Sequence, residues 1–134
     1  MSPMALVPES WFLAVFLIFL FMHYIADFVM QTEWQAKNKS KSLKALLSHV
    51  GTYGLVFGFF SFVVIGLHWY MLAFIALNLV LHFCIDYVTS KMSAKRWAEG
   101  KIHDFFEVIG FDQWLHQASI GISLILLKYW AIGV

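Results

Sequence analysis

The sequence predicts an all-α polytopic membrane protein: one transmembrane domain over residues 1–134, built as a bundle of four transmembrane helices with basic cytoplasmic loops. Three observations carry that expectation. Of the 134 residues, 61% are hydrophobic and 13% charged, which leaves too little polar surface to cover a soluble globule. The apolar residues fall in long runs, and about 20 such residues cross a hydrocarbon core roughly 30 Å thick. Lys and Arg side chains concentrate in two of the connections between those runs. The net charge of +1 excludes the dominant basic face of a nucleic-acid binder. The single cysteine, Cys84, cannot form an internal disulfide and reads as apolar core filling.

Taken in order, the first span covers about residues 10–31, with Trp11 placed to anchor at headgroup level. Glu9 precedes it without a basic flank, and the run is too long for a signal-peptide core, so it is expected to be retained. Residues 32–48 carry Glu33, Trp34, Lys37, Lys39, Lys41 and Lys44, a polar connection expected to lie partly as an interfacial helix. The second span covers about 45–66, and Gly51, Gly54 and Gly58 recur at a spacing that lets a neighbouring backbone approach. A short turn at 67–69 returns the chain into the third span, about 69–89, so the two form an antiparallel hairpin. Lys91, Lys95, Arg96 and Lys101 mark a second basic loop before the fourth span, about 105–130, whose end carries Tyr129 and Trp130. The opposite side offers only Lys128, so both basic loops are expected in the cytoplasm, with the N-terminus, the short turn and the C-terminus outside.

Polar residues inside the spans are few and regularly placed. His23, Asp27 and Gln31 follow one another at four-residue steps near the end of the first span, which puts them on one helical face about 6 Å apart along the axis. His82, Asp86 and Ser90 repeat that spacing in the third span. Asp112 and His116 reverse the order near the start of the fourth, and His49 lies about one turn into the second. In an up-and-down bundle all these positions fall at the cytoplasmic end. An ionised aspartate facing lipid is costly, so such groups turn inward and find partners. No lysine or arginine lies within the spans at that depth to balance three carboxylates, and a divalent cation supplies the charge.

His23, Asp27, His49, His82, Asp86, Asp112 and His116 are therefore the expected metal ligands, with Asp27, Asp86 and Asp112 as the candidates for a catalytic role. Imidazole and carboxylate together suit zinc, with manganese or iron as alternatives. The set exceeds one tetrahedral shell, leaving either two ions or one ion with supporting partners. A metal lowers the pKa of a bound water towards about 7, and an uncoordinated aspartate can serve as its base, so hydrolysis is the expected chemistry. The substrate class expected from the location is a lipid or lipid-linked molecule at the cytoplasmic leaflet. Taken singly, each His/Asp pair is explained by an interhelical hydrogen bond of about 0.6–2 kcal/mol. A transporter or binding component for metal ions or protons, which would need a homo-oligomer for its pathway, and a non-catalytic regulatory protein are the competing classes. His68, His103, Asp104 and Glu107 read as interfacial, capping or loop residues, and Asn78 as a bond to a neighbouring helix. Gln31 and Gln113 are placed to support the cluster or to be hydrated.

The stretches His23-Tyr-Ile-Ala-Asp27-Phe-Val-Met-Gln31-Thr, His82-Phe-Cys-Ile-Asp86-Tyr and Asp112-Gln113-Trp-Leu-His116, with His49 between the first two, resemble the bacterial and phage membrane family catalogued as domain of unknown function 3307. The resemblance spans most of the chain. It implies a bacterial inner-membrane location and a functional set of polar positions, with no reaction attached. More distantly, the pattern is similar to predicted inner-membrane metal-dependent hydrolases, which implies the same metal chemistry.

Overall fold

The computed structural model describes residues 8–133; the two chain ends beyond them, including the N-terminus expected outside, lie outside the described residues. Helix α1 runs over Glu9–Tyr24 and continues as a π turn over Ile25–Val29, so that Ser10–Val29 forms one candidate span. A short helix α2 (Glu33–Asn38) leads into α3 (Leu43–Ile65), α4 (Trp69–Ala98) and α5 (Ile102–Ile132). Four of these helices are long and apolar enough to cross a membrane, and the protein is an all-α, polytopic four-helix bundle. Helix α4 packs on α3 and α5, and α1 packs on the same two, which closes the bundle into a square.

The inward faces follow a four-residue rhythm, because side chains at i and i+4 stack on one side of a helix. In α3 the buried stripe is Leu46, His49, Tyr53, Phe57, Ser61 and Ile65; in α4 it is Tyr70, Phe74, Asn78, His82 and Asp86. Helix α5 contributes Asp112, His116, Ile120, Leu124 and Leu127. One end of every stripe is therefore apolar and the other polar. The apolar half closes around Phe19, whose ring lies 5.1 Å from Phe57 and 5.2 Å from Phe74. Between the halves Asn78 donates to Ser123 Oγ at 2.9 Å and to the Phe74 carbonyl at 2.8 Å, the neighbour contact expected of it. Outward residues such as Leu17, Leu55, Phe62, Val80 and Ile122 remain exposed, as a lipid-facing surface requires.

Several boundaries differ from the sequence reading. The third span does not stop at residue 89: α4 continues to Ala98, where i,i+3 and i,i+4 pairs of Arg96 and Lys95 with Glu99 support its last turn and Gly100, at φ 70°, ends it. Lys91, Lys95 and Arg96 thus project from a helix rather than from a loop. At about 45 Å, α4 is longer than the hydrocarbon core, so its basic end extends beyond it. The turn between α3 and α4 relies on Gly66, at φ 82°. Of the three glycines expected to admit a neighbour, only Gly54 is tightly approached: an added Cβ would stand 2.9 Å from Leu79 Cδ2, whereas Gly51 faces open space. Cys84 is exposed rather than core filling, because it lies two residues, roughly 200° around the helix, from inward-facing His82.

The connection between α1 and α3 is anchored from within. Thr32 and Gln35 form a reciprocal capping box, with bonds of 3.0 and 3.2 Å, that starts α2. Gln35, 3% exposed, then donates from Nε2 to Ser48 Oγ and Thr52 Oγ1 of α3, both at 3.0 Å. Replacing Gln35 with Ala removes the anchor and leaves Ser48 and Thr52 without their donor. The expected cost is about 1–3 kcal/mol, read as a lower unfolding midpoint in detergent, with protease cleavage appearing first within residues 33–42.

Candidate metal centre

The residues expected to act together do converge. His23 from α1, Asp27 from the π turn, His49 from α3, His82 and Asp86 from α4, and Asp112 and His116 from α5 are all buried at one level, about 9 Å along the axis from the start of α3. The π turn, closed by the Met30 N–H donating to the Ile25 carbonyl at 2.8 Å, keeps Asp27 on the face of His23, and His23 Nε2 lies 3.6 Å from Asp27 Oδ2. Such turns recur at functional sites because they re-aim a side chain within an otherwise regular helix. The helix ends at once, and Gln31, just beyond it, is half-buried with its Oε1 unbonded.

Four atoms form the tightest group. His49 Nε2 lies 2.8 Å from Asp27 Oδ1, 3.0 Å from Asp86 Oδ2 and 3.1 Å from His82 Nε2. His82 Nε2 lies 3.4 Å from the same Asp27 oxygen and 3.6 Å from the same Asp86 oxygen. Four donors holding an ion tetrahedrally at about 2.0–2.1 Å stand roughly 3.3 Å from one another. The observed separations bracket that value. Asp27 Oδ1, although close to two imidazoles, has no aligned hydrogen bond, whereas His82 Nε2 and His49 Nε2 are bonded to one another and Asp86 Oδ2 accepts from Lys39.

Both carboxylates also face a second group with their other oxygen. Asp86 Oδ1 lies 3.2 Å from His116 Nε2, and His116 Nε2 lies 3.4 Å from Asp112 Oδ1. Asp27 Oδ2 accepts from Gln113 Nε2 at 3.3 Å. Donor atoms of Asp27, Asp112 and His116 lie within 4.8 Å of one another, as do those of His23, His82 and His116. Asp27 and Asp86 therefore stand between two sets of imidazoles. The rings are oriented mainly by packing: Tyr53 stacks on His82 at 3.9 Å, and His82 on His116 at 4.4 Å. Nδ1 of His23, His49 and His82 is buried without a hydrogen bond, unlike the usual metal-binding histidine, whose second nitrogen donates to an acceptor.

The sequence reading missed two contributors. Lys39 is the larger omission. It lies outside the spans, yet α2 turns it inward so that Nζ donates to Asp86 Oδ2 at 2.9 Å and lies 3.5 Å from His49 Nε2. The spans do lack a lysine or arginine at that depth, but the inference that a divalent cation must supply the balancing charge is corrected, because Lys39 supplies one positive charge from outside them. Burial works against its ammonium charge, but Asp86 and Asp27 outweigh that cost and hold its pKa above the ordinary lysine value. Thr89 is the second omission: its hydroxyl donates to Asp112 Oδ1 at 2.5 Å, leaving that carboxylate positioned from α4. Gln113, of whose two expected roles the supporting one holds, bonds three members of the cluster. Its Nε2 donates to Asp112 Oδ2 at 2.9 Å and to Asp27 Oδ2, and its Oε1 lies 3.3 Å from His23 Nε2. Nothing in the spacing separates Lys39 from Lys37 or Lys41. Thr89, by contrast, lies three residues beyond Asp86, within reach of the same face.

His103, Asp104 and Glu107 bring ligand-type atoms together at the start of α5, but His103 and Glu107 are exposed; no side chain caps α5, and Asp104 in its first turn suits the helix dipole. His68 is exposed at the turn before α4 and stacks on Tyr70.

No curated protein and no solved structure matches the chain. The family described as protein of unknown function (DUF3307) matches residues 15–132, and the chain belongs to that family.

Proposed function

We propose that the protein is a membrane-embedded, metal-dependent hydrolase of the bacterial inner membrane that acts on a lipid or lipid-linked substrate at the cytoplasmic leaflet. The observation that carries this reading is the set of Asp27, His49, His82 and Asp86, in which the separations of the two imidazole nitrogens from each other and from both carboxylates, 2.8–3.6 Å, bracket that of a tetrahedral ion shell. Zinc suits the mixed imidazole and carboxylate donors, with manganese and iron as alternatives. Asp86 and Asp27, each facing both groups, would bridge a second ion held by Asp112, His116 and His23. Paired ions serve displacement at phosphorus by clamping the attacking and leaving oxygens, which favours a phosphoester among the candidate bonds. Asp112, held by Thr89 and Gln113, is positioned to orient or deprotonate the attacking water.

Elemental analysis of protein purified in detergent tests the reading first. One or two zinc ions per chain are expected, removable by a chelator and restored by added zinc. Less than about a tenth of an ion per chain after incubation with micromolar zinc, manganese and iron would exclude a metal centre.

The Lys39–Asp86 pair supports a second reading, in which a cation or proton binds among the same groups and is moved rather than used in catalysis. Zinc or proton flux into liposomes without cleavage of any lipid would favour it. Four helices make a thin pathway, so that outcome is expected only together with an oligomer.

A further inference from the structure

A cavity of about 610 Å³ adjoins the cluster at the basic end of the bundle, within the range of small-molecule sites. Its floor is Asp27, Asp112 and Gln113, the second group of the centre described above. Lys37, Lys39 and Lys41 from the α1–α3 connection form one margin. Lys37 pairs with Glu33 and Lys39 with Asp86, but Lys41 forms no ion pair among the described residues. Phe28, Trp97 and Phe105 form an apolar wall, and Phe28 and Trp97 are exposed on the outer surface of the bundle.

Two wall atoms, the Ser90 hydroxyl and Gln31 Oε1, have no partner among the described residues. Ser90, 9% exposed, lines the cavity, and its hydroxyl makes no hydrogen bond. A buried polar atom without a partner calls for a ligand or solvent at that point. A hydroxyl and a free ammonium on one cavity suit an oxyanion, and an apolar wall continuous with the outer surface suits an attached hydrocarbon chain. Against that stands the floor, where Asp27 and Asp112 repel an anion unless a cation lies between.

We infer that the cavity receives the phosphate headgroup of a lipid from the adjoining leaflet, with Lys41 and Ser90 as its protein contacts and its acyl chains leaving past Phe28 and Trp97. This deepens the hydrolase reading and rests on it, because metal ions at the floor reverse the charge the phosphate meets. By linkage, headgroup and metal then tighten one another's binding by the same factor.

The test uses the full chain in detergent and a ligand that resists cleavage, the phosphonate analogue of dihexanoyl phosphatidate. It is compared with dihexanoylglycerol and inorganic phosphate, and zinc is counted in every sample. On zinc-loaded protein the phosphonate lipid is expected to bind at least about 10-fold tighter than either comparison ligand, and zinc removal to weaken it by about 10-fold or more. Lys41→Gln and Ser90→Ala are each expected to weaken it about 3- to 10-fold with the zinc count unchanged. Inorganic phosphate binding as tightly as the lipid overturns the lipid assignment in favour of a free phosphate compound. Dihexanoylglycerol binding equally well, or neither variant altering affinity with zinc in place, overturns the headgroup site. A chain that takes up no zinc overturns the metal centre instead. Phosphonate-lipid binding by that zinc-free chain, weakened in both variants, would then uphold the headgroup site, and no binding would end it.

Discussion

Asp86→Asn is expected to weaken zinc binding by at least about 100-fold while the bundle still folds, the upper end of what removing even a supporting partner of a metal ligand costs. Asp86 is 1% exposed and faces four partners: Oδ2 faces His49, His82 and Lys39, and Oδ1 faces His116. The amide keeps the shape and one acceptor oxygen but loses the charge that both groups share. In the folded protein its NH₂ group also turns a donor towards an imidazole or an ion. Lys39, still partly exposed, can swing to solvent, so the substitution does not strand a buried charge. Titration calorimetry with zinc, alongside unfolding curves in chelator, separates the outcomes. A variant that folds and binds zinc as the wild type does would exclude Asp86 as a ligand, and one that unfolds without metal would identify it as structural.

Lys39→Met is expected to act in opposite directions on the two states. Without metal, Asp86 loses its ammonium partner and remains buried, so the variant is destabilised by about 3–5 kcal/mol. With metal, the same substitution removes a positive charge that contacts the very oxygen an ion would use, so zinc affinity rises about 10-fold. Unfolding midpoints in chelator and zinc titrations of the same preparation measure the two effects. Weaker zinc binding by Lys39→Met would show that the lysine supports the site rather than competing for it. Adding Asp86→Asn to Lys39→Met should restore metal-free stability, because the uncompensated carboxylate is then gone. The competition is expected to persist across neutral pH. A lysine whose folded pKa is raised keeps its stabilising contribution below the ordinary value of 10.5 and loses it only as pH climbs through the higher folded value.

The spans, their order and the common height of His23, Asp27, His49, His82, Asp86, Asp112 and His116 were all legible without coordinates. Helical periodicity is a local property, so a histidine and an aspartate four residues apart share a face whatever surrounds them, and alternating direction carries each such face to the same end of the bundle. A helix in the polar connection before α3 was also expected, although the Thr32 and Gln35 pair that caps it was not singled out. What the one-dimensional pattern does not contain is direction in the plane of the membrane. Only the packed bundle decided that Gly54 meets Leu79 while Gly51 meets nothing, and that Asp86 shares its two oxygens between His49 and His116. The same holds for Lys39, one lysine among several in a polar connection, which enters the cluster because Gln35 ties α2 to Ser48 and Thr52 and so aims the chain inward. Periodicity sets height and face within one helix, whereas contacts between residues distant in sequence depend on how the helices turn about their axes, and that is settled only when all of them pack at once.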